Sequence, residues 1–573
     1  MRRLTIFTPL RLFTAVLAVT LPLFAQQNVF VPPAEIIIVH AKVFTADTHN
    51  PSADAIAIHK GKIQAVGKEI EIERYRGIGT RVIDAGGKLV FPGFIDCHVH
   101  FLRGSLSLGR VNLEGAKDVT EIQQRLKDYA AKHPDTDWIL GGGWSYAMFG
   151  ADGLPDKKYL DKLFPNRPVY LDGYDQHTFW ANSKALALAG ISRSTLSPPN
   201  GTIVHDKFTG NPTGVLQEEA DTLIRKVIPE PTEIEKVRAL RAGIKWANRN
   251  GLTRVQSARW DFEILPLLDQ IREDKQLTLR FDLAYLPAES QFTDKDLATI
   301  EAAHKKHHDD YINVNAVKLV LDGVVETRTA AFLEPYADEP ATKGSLFWDV
   351  NKYKDTVALL DKKGFQVYTH AIGDYAVRTA LDAYEEAEKR NHSKNKRHRI
   401  EHVETVATSD ISRFGKLGVI ASMQPLHAYP DSDTLDVWAI RVGPERAKLA
   451  WAWKSIADAG GKYAFGSDWP IVTLNPFEGI QTAVTRQTSD ATPKDGFDAG
   501  ERLTVADAIE GYTIDAAFAG HHEKTEGSIM VGKAADLIIV DRNIFEVDAH
   551  TIGKTKVVFT IVGGKIVYEA DAK

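Results

Sequence analysis

The sequence predicts an α/β fold: a (β/α)8 TIM-type barrel, a small composite β-sandwich formed from both chain ends, and a large insertion after the first barrel strand. Three observations predict it. Short apolar strands, most ending in a polar or charged residue, alternate with helical stretches through the middle of the chain. β-Rich pieces with turn punctuation precede residue 91 and return after residue 526. The segment 101–250 separates the first two barrel strands and far exceeds an ordinary loop of about 4–6 residues, so it must carry structure of its own. Periodicity alone also allows a doubly wound open sheet. Closure into a barrel is argued from the chemistry that gathers at the strand ends.

The 573 residues are 44% hydrophobic and 25% charged, which excludes a mainly disordered, collagenous or multi-span membrane chain. A net charge of −6 without a long basic run gives no electrostatic footprint for nucleic acid, so the expected partner is a small molecule. Arg2, Arg3 and Arg11 precede an apolar run from Leu12 to Ala25, followed by polar Gln26-Gln27-Asn28. That is a signal-peptide layout over residues 1–25. The run is short of the roughly 20 residues of a membrane span and Pro22 interrupts it, so no stable span is expected after processing. The mature chain is expected to be exported, to a periplasm or outside the cell. Cys97 is the single cysteine, which excludes an intrachain disulfide and reads as a small buried filler. A homo-oligomer is compatible with all of this.

In chain order, residues 34–91 hold hairpin-like strands such as Ile36-Ile37-Ile38-Val39 and Ala55-Ile56-Ala57-Ile58. The barrel is expected over 92–525. Its strands are read at Gly93–His100, Gly251–Ser257, Leu277–Tyr285, Ala316–Asp322, Phe365–His370, Arg399–His402, Val419–Gln424 and Tyr463–Asp468. The insertion is rich in aromatics, among them Trp144, Tyr146, Tyr174 and Trp180; most should form its own core, with a few reaching substrate. Residues 526–573 return to β pattern, as in Asp536-Leu537-Ile538-Ile539-Val540, and complete the sandwich.

His98-Val99-His100 closes the first strand, and residues two apart on a strand point the same way, so both imidazoles can face one metal. Such a pair alone is weak. Its company is informative: His370 ends the fifth strand, His402 the sixth and Asp468 the eighth, all near the active end of a barrel. Lys318 is a charged residue inside the apolar run Ala316-Val317-Lys318-Leu319-Val320. A buried unpaired lysine is costly. It either reaches solvent at the strand end or is converted by CO2 to a carbamate that bridges two cations.

Taken together, these segments resemble the amidohydrolase superfamily, in the branch that includes N-substituted formamide deformylases and many exported proteins. The resemblance runs from about Glu35 to the C-terminus. It rests on Phe91-Pro92-Gly93-Phe94-Ile95-Asp96-Cys97-His98-Val99-His100, on Lys318 with Asp322-Gly323 and Thr329-Ala330, and on His370 with Gly373-Asp374. Ile400-Glu401-His402, Met423-Gln424-Pro425, Gly466-Ser467-Asp468-Trp469-Pro470 and Gly532-Lys533-Ala534-Ala535-Asp536-Leu537 extend it. It implies a metal-bearing barrel in which His98, His100 and Asp468 hold one divalent cation, His370 and His402 a second, and Lys318 lies between them as a carbamate. Zinc is the default for imidazole and carboxylate donors, with one or two ions per chain. Relatives often carry a histidine where this chain has Gln256, and Glu218 matches a family segment and could supplement or replace Lys318.

The implied reaction is hydrolysis of a non-peptide carbon–nitrogen bond by a metal-activated hydroxide. Asp468 is the catalytic acid/base that returns the proton to the departing nitrogen. His177, His427 and Trp469 are candidates for substrate contact. Ester or lactone hydrolysis is a second reading of the same site, and a non-catalytic exported ligand-binding barrel a third.

Overall fold

The computed structural model describes residues 31–149, 154–174, 177–199, 201–258, 261–287, 290–394 and 396–570. The expected leader, 1–25, lies outside the described residues. Eight strands form one parallel sheet whose neighbours follow chain order. They are β1 (Phe94–Val99), β2 (Leu252–Ser257), β3 (Arg280–Tyr285), β4 (Ile312–Val320), β5 (Gln366–Ala371), β6 (Arg399–His402), β7 (Ile420–Met423) and β8 (Lys462–Phe465). β1 and β6 are buried at every position, as strands covered on both faces must be.

The sheet closes at the catalytic end. The Asp468 amide donates to the His98 carbonyl at 2.7 Å and the His100 amide to the Trp469 carbonyl at 2.8 Å. Glycine is needed here: a Cβ on Gly466 would lie 2.5 Å from the His98 nitrogen, so any side chain would force β8 away from β1. Asp96 crosses the same seam, accepting from the amides of His98 at 3.1 Å and Ser467 at 2.9 Å.

Three predicted strands differ by more than one residue at an end, and β3 is the simplest case, starting at Arg280 rather than Leu277. β4 starts at Ile312 because Ile312 pairs with Phe281 of β3, and it stops at Val320. Asp322 has left the ladder to accept from the amides of Ala331, Ile372 and Gly373, tying the loop after β4 to the loop after β5. β8 stops at Phe465, and Asp468 sits beyond it at φ +60°. A typical covering helix, Val350–Lys363, shows how the outer layer is set: Asp349 caps the amides of Asn351 and Lys352, and Gly364 ends the helix in the left-handed region.

Both chain ends share the six-stranded sheet that holds Leu537–Val540 against Leu89–Pro92, antiparallel. A four-stranded sheet packs on it through Ile38, Ile56 and Ile58 against Leu537, Ile539 and Ile561. The insertion has its own six-stranded sheet, in the order Gly201–His205, Pro212–Glu218, Thr178–Ala181, Val169–Gly173, Ile139–Trp144 and Val111–Asn112. Trp144 and Trp180 are buried in its core with rings 6.3 Å apart, whereas Tyr146 and Tyr174 stay partly exposed.

Candidate metal centre

Asp468 is the hub of the site. Its Oδ1 lies 2.8 Å from His100 Nε2 and 3.4 Å from His98 Nε2; its Oδ2 lies 3.7 Å from His427 Nε2 and 3.9 Å from His402 Nδ1. One carboxylate therefore faces four imidazoles. Two ligand-type triads result, His98–His100–Asp468 and His402–His427–Asp468, each with its donor atoms within 4.8 Å of one another. The backbone that delivers them is held in the left-handed region at His402 (φ +76°), Val403 (φ +46°) and Asp468 (φ +60°). Non-glycine residues avoid that region at a cost of about 1–3 kcal/mol, and such strain gathers at functional sites.

Three of the imidazoles, His98, His402 and His370, are oriented from behind. His98 Nδ1 is 2.5 Å from Glu401 Oε2, which turns His98 Nε2 toward Asp468. His402 Nδ1 is 2.9 Å from Gln424 Oε1. The His370 ring stands 4.6 Å from the His402 ring, with His370 Nε2 3.2 Å from the Gly323 carbonyl. That N–H donates to the carbonyl, so the lone pair of His370 is on Nδ1. Glu401 is in turn gripped by Arg399, whose Nε donates to Oε1 at 2.9 Å, and by the Ser422 hydroxyl, which donates to Oε2 at 2.5 Å. Arg399 also donates to Gln256 and to the Cys97 carbonyl. Gln256 thus serves the orienting network, and Cys97 is a fully buried filler whose thiol burial pushes up to about 12.

Electrostatics prepare this cluster for a cation. Burial, then the nearby Lys318 charge, lowers His98 to about 4, and burial with the neighbouring His370 holds His402 well below the usual histidine range. Neutral imidazoles are the ligating form. Burial would raise Asp468, but the facing His98 and His100 outweigh it and keep it a carboxylate. His98 Nε2 and His427 Nε2 are buried with no hydrogen-bond partner among the described residues. A divalent cation is the group that would satisfy such nitrogens beside a carboxylate, so the donor set fits one.

Lys318 is 2% exposed on β4, and its charge acts on His98, Glu401 and His402. Burial removes the reading in which it reaches solvent. Glu218 instead pairs with His177 at 2.8 Å, both partly exposed on the insertion. Trp469, expected at the substrate surface, is 5% exposed and packs on Phe101 and against Gly104, where a Cβ would lie 2.3 Å from its ring. His427, expected to meet substrate, faces Asp468 beside His402, its ring parallel to that of His402 at 6.0 Å. The sequence reading held Glu401 and Gln424 within motifs of the resemblance and Arg399 at the start of a strand, but gave none of the three a role; locally each is only a polar residue inside an otherwise apolar strand or at its end.

A family model described as the amidohydrolase family matches residues 81–568. The chain belongs to the amidohydrolase family. It is similar to Protein LONG AFTER FAR-RED 3 of Arabidopsis thaliana, 33% identical over 550 residues that cover 93% of this chain and 92% of that protein. It is also similar to the N-substituted formamide deformylase of Arthrobacter pascens, 28% identical over 552 residues, 93% of this chain and 98% of that one. Among solved structures, an uncharacterized metal-dependent hydrolase from Pyrococcus horikoshii superposes with a TM-score of 0.71 at 25% identity, covering 90% of this chain and 99% of that chain. As a member of this family the protein is a hydrolase of small molecules on a TIM-type barrel, with a His/His/Asp cluster where a metal would sit. No helix among the described residues is long and apolar enough to cross a membrane.

Proposed function

We propose that this protein hydrolyses a non-peptide carbon–nitrogen bond, in an N-acyl, formamide-like or cyclic amide. The convergence of His98, His100 and Asp468, with His98 Nε2 buried and without a hydrogen-bond partner among the described residues, carries the reading. His98, His100 and Asp468 would hold one divalent cation, with zinc suited to these donors; His370 and His402 would serve a second, and Lys318, as a carbamate, both. Such a cation lowers the pKa of a bound water from 15.7 to about 7 and polarises a carbonyl.

The chain's own residues do the rest. Asp468, held ionised, accepts the proton of the attacking water and returns it to the leaving nitrogen, which cannot depart as an amide anion. Glu401 fixes the His98 ring, and Gln424 the His402 ring. The likeness to an N-substituted formamide deformylase supports a formyl or small acyl group on a substituted amine. The apolar leader with its arginines supports export, so the purified mature chain should begin after residue 25 by intact mass.

The test is metal content by elemental mass spectrometry together with rates on N-benzylformamide, an N-acyl amine, a cyclic amide and phenyl acetate. About two zinc equivalents and turnover of an amide support the reading. Turnover of the ester alone sinks it in favour of ester hydrolysis, and absence of metal moves the protein to the ligand-binding reading.

A further inference from the structure

Arg103 lies about one helical turn beyond His100 and takes no part in the reaction as written above. It sits on the helix Phe101–Ser107, whose N-terminal cap is His100. Side chains three apart along a helix share a side and lean toward its N-terminus, so Arg103 leans toward the end that carries His100. Phe101 and Gly104 of the same helix pack on Trp469, whereas Arg103 faces the insertion. There its Nη2 stands 3.9 Å from Asp172 Oδ2, too far for a hydrogen bond, and this is its one ion pair among the described residues. Asp172 is shared: Arg225 Nη2 stands 3.7 Å from its Oδ1, while Arg225 Nε donates to Asp221. Arg110 acts on Arg103 as a further positive charge. Three guanidiniums thus stand against two carboxylates.

Burial lowers Arg103 from its ordinary value more than Asp172 raises it. A guanidinium drawn out of water is costly until an acceptor meets it. Its side chain is nonetheless 27% exposed, so a solute can reach it. A second group in the same cluster is also unsatisfied. Tyr170, two residues before Asp172 and on the same face of the strand Val169–Gly173, is 4% exposed, and its hydroxyl is buried with no hydrogen-bond partner among the described residues. The charges of Asp172, Arg225, Asp221 and Arg103 all act on that hydroxyl. Buried phenols ordinarily find a partner. A carboxylate seated between helix and insertion supplies the acceptor that both groups lack, and the planar fork of an arginine matches its two oxygens. We propose that Arg103, with the Tyr170 hydroxyl as a neighbouring donor, is a substrate-binding residue for a carboxylate, so that the substrates are amides bearing a negative charge. The substrate class rests on the carbon–nitrogen reading, whereas binding of the carboxylate does not.

The test uses N-formylphenylalanine and N-formylphenethylamine, which differ only in the carboxylate, with the metal-loaded full chain. Wild type should favour the acid in kcat/KM by on the order of tenfold or more, mainly through KM. Arg103→Gln should bring the ratio of the two close to one, and Tyr170→Phe should lower it about threefold. Asp172→Asn removes the carboxylate that competes for Arg103 and should raise the ratio. No preference for the acid in wild type overturns the proposal. So does a preference that survives in Arg103→Gln, as it would if the acid merely bound the cation, or a lowered Tm with the ratio intact, which would leave Arg103 a tie between barrel and insertion. Should Arg103→Gln not fold, Asp172→Asn decides, and an unchanged or lowered ratio overturns the proposal. Should neither formamide be turned over, the carbon–nitrogen reading falls for this pair, and equilibrium dialysis of the same two molecules against wild type and Arg103→Gln reads the subsite alone. Tighter binding of the acid that is lost in Arg103→Gln upholds it, and equal binding in the two proteins overturns it.

Discussion

His98 Nδ1 lies 2.5 Å from Glu401 Oε2, and Arg399 donates to the other oxygen of the same carboxylate at 2.9 Å. The three side chains are wholly buried, so Glu401 stays ionised only because Arg399 and His98 outweigh the burial that would neutralise it. Orienting carboxylates of this kind are worth 10–100-fold in metal affinity. Glu401→Gln should therefore weaken zinc binding by about that factor in a competitive chelator titration. Equal affinity in the variant would show that the pair only packs the barrel.

Lys318 presents the opposite problem. An ammonium acting on His98 and His402 opposes a cation in the same space, whereas a carbamate on the same nitrogen would attract it. Lys318→Ala should lose at least half of the bound metal, and formate or acetate should restore it by replacing the missing carboxylate. A carbamate carbon signal should appear in wild type equilibrated with labelled CO2. Full metal content in Lys318→Ala without added acid would leave the lysine a purely structural role.

The barrel and its ligand-type residues could be read from the sequence because both follow local rules. Apolar runs mark buried strands, and histidines or an aspartate at their C-terminal ends mark chemistry. What escaped was set by distance along the chain. Glu401 and Arg399 look like ordinary charges until β6 places them behind His98, 303 residues away from Glu401. Trp469 looked like a substrate contact because aromatic residues beside a site often are, but Gly104 opens a slot that takes its ring into the core. The β4 boundary moved because pairing with β3, rather than hydropathy, decides where a strand begins.

Asp361 supplies an acid-sensitive element far from the metal ligands. Its carboxylate faces His398 Nε2 at 3.1 Å and accepts from Asn391 and Ser393. Burial would raise it, but these partners lower it from 3.8 to about 2. A depressed carboxyl contributes stability that is complete above its unfolded value and is lost as pH falls through the folded one. Asp361→Asn should therefore cost on the order of 2 kcal/mol at pH 7, with the difference from wild type shrinking between about pH 4 and pH 2. Urea unfolding at several pH values checks it, and a pH-independent difference would assign the loss to geometry instead.

The joint between barrel and sandwich should be the most sensitive place outside the site. Arg254 at the start of β2 donates to both oxygens of Glu526, at 2.9 and 2.7 Å, and to Asp282 at 3.1 Å. Arg280 donates to Asp536 at 2.8 Å, just before the strand Leu537–Val540. All five groups are buried, so removing one partner strands a charge in a medium that cannot solvate it. Glu526→Ala should cost about 3–5 kcal/mol, because Arg254 is then left with Asp282 alone and Arg280 with Asp536 alone. The C-terminal strands and the barrel should then melt as one unit in wild type and separate in Glu526→Ala, as amide exchange would reveal. A loss below about 1 kcal/mol would mean that apolar packing, and not this charge cluster, joins the two parts.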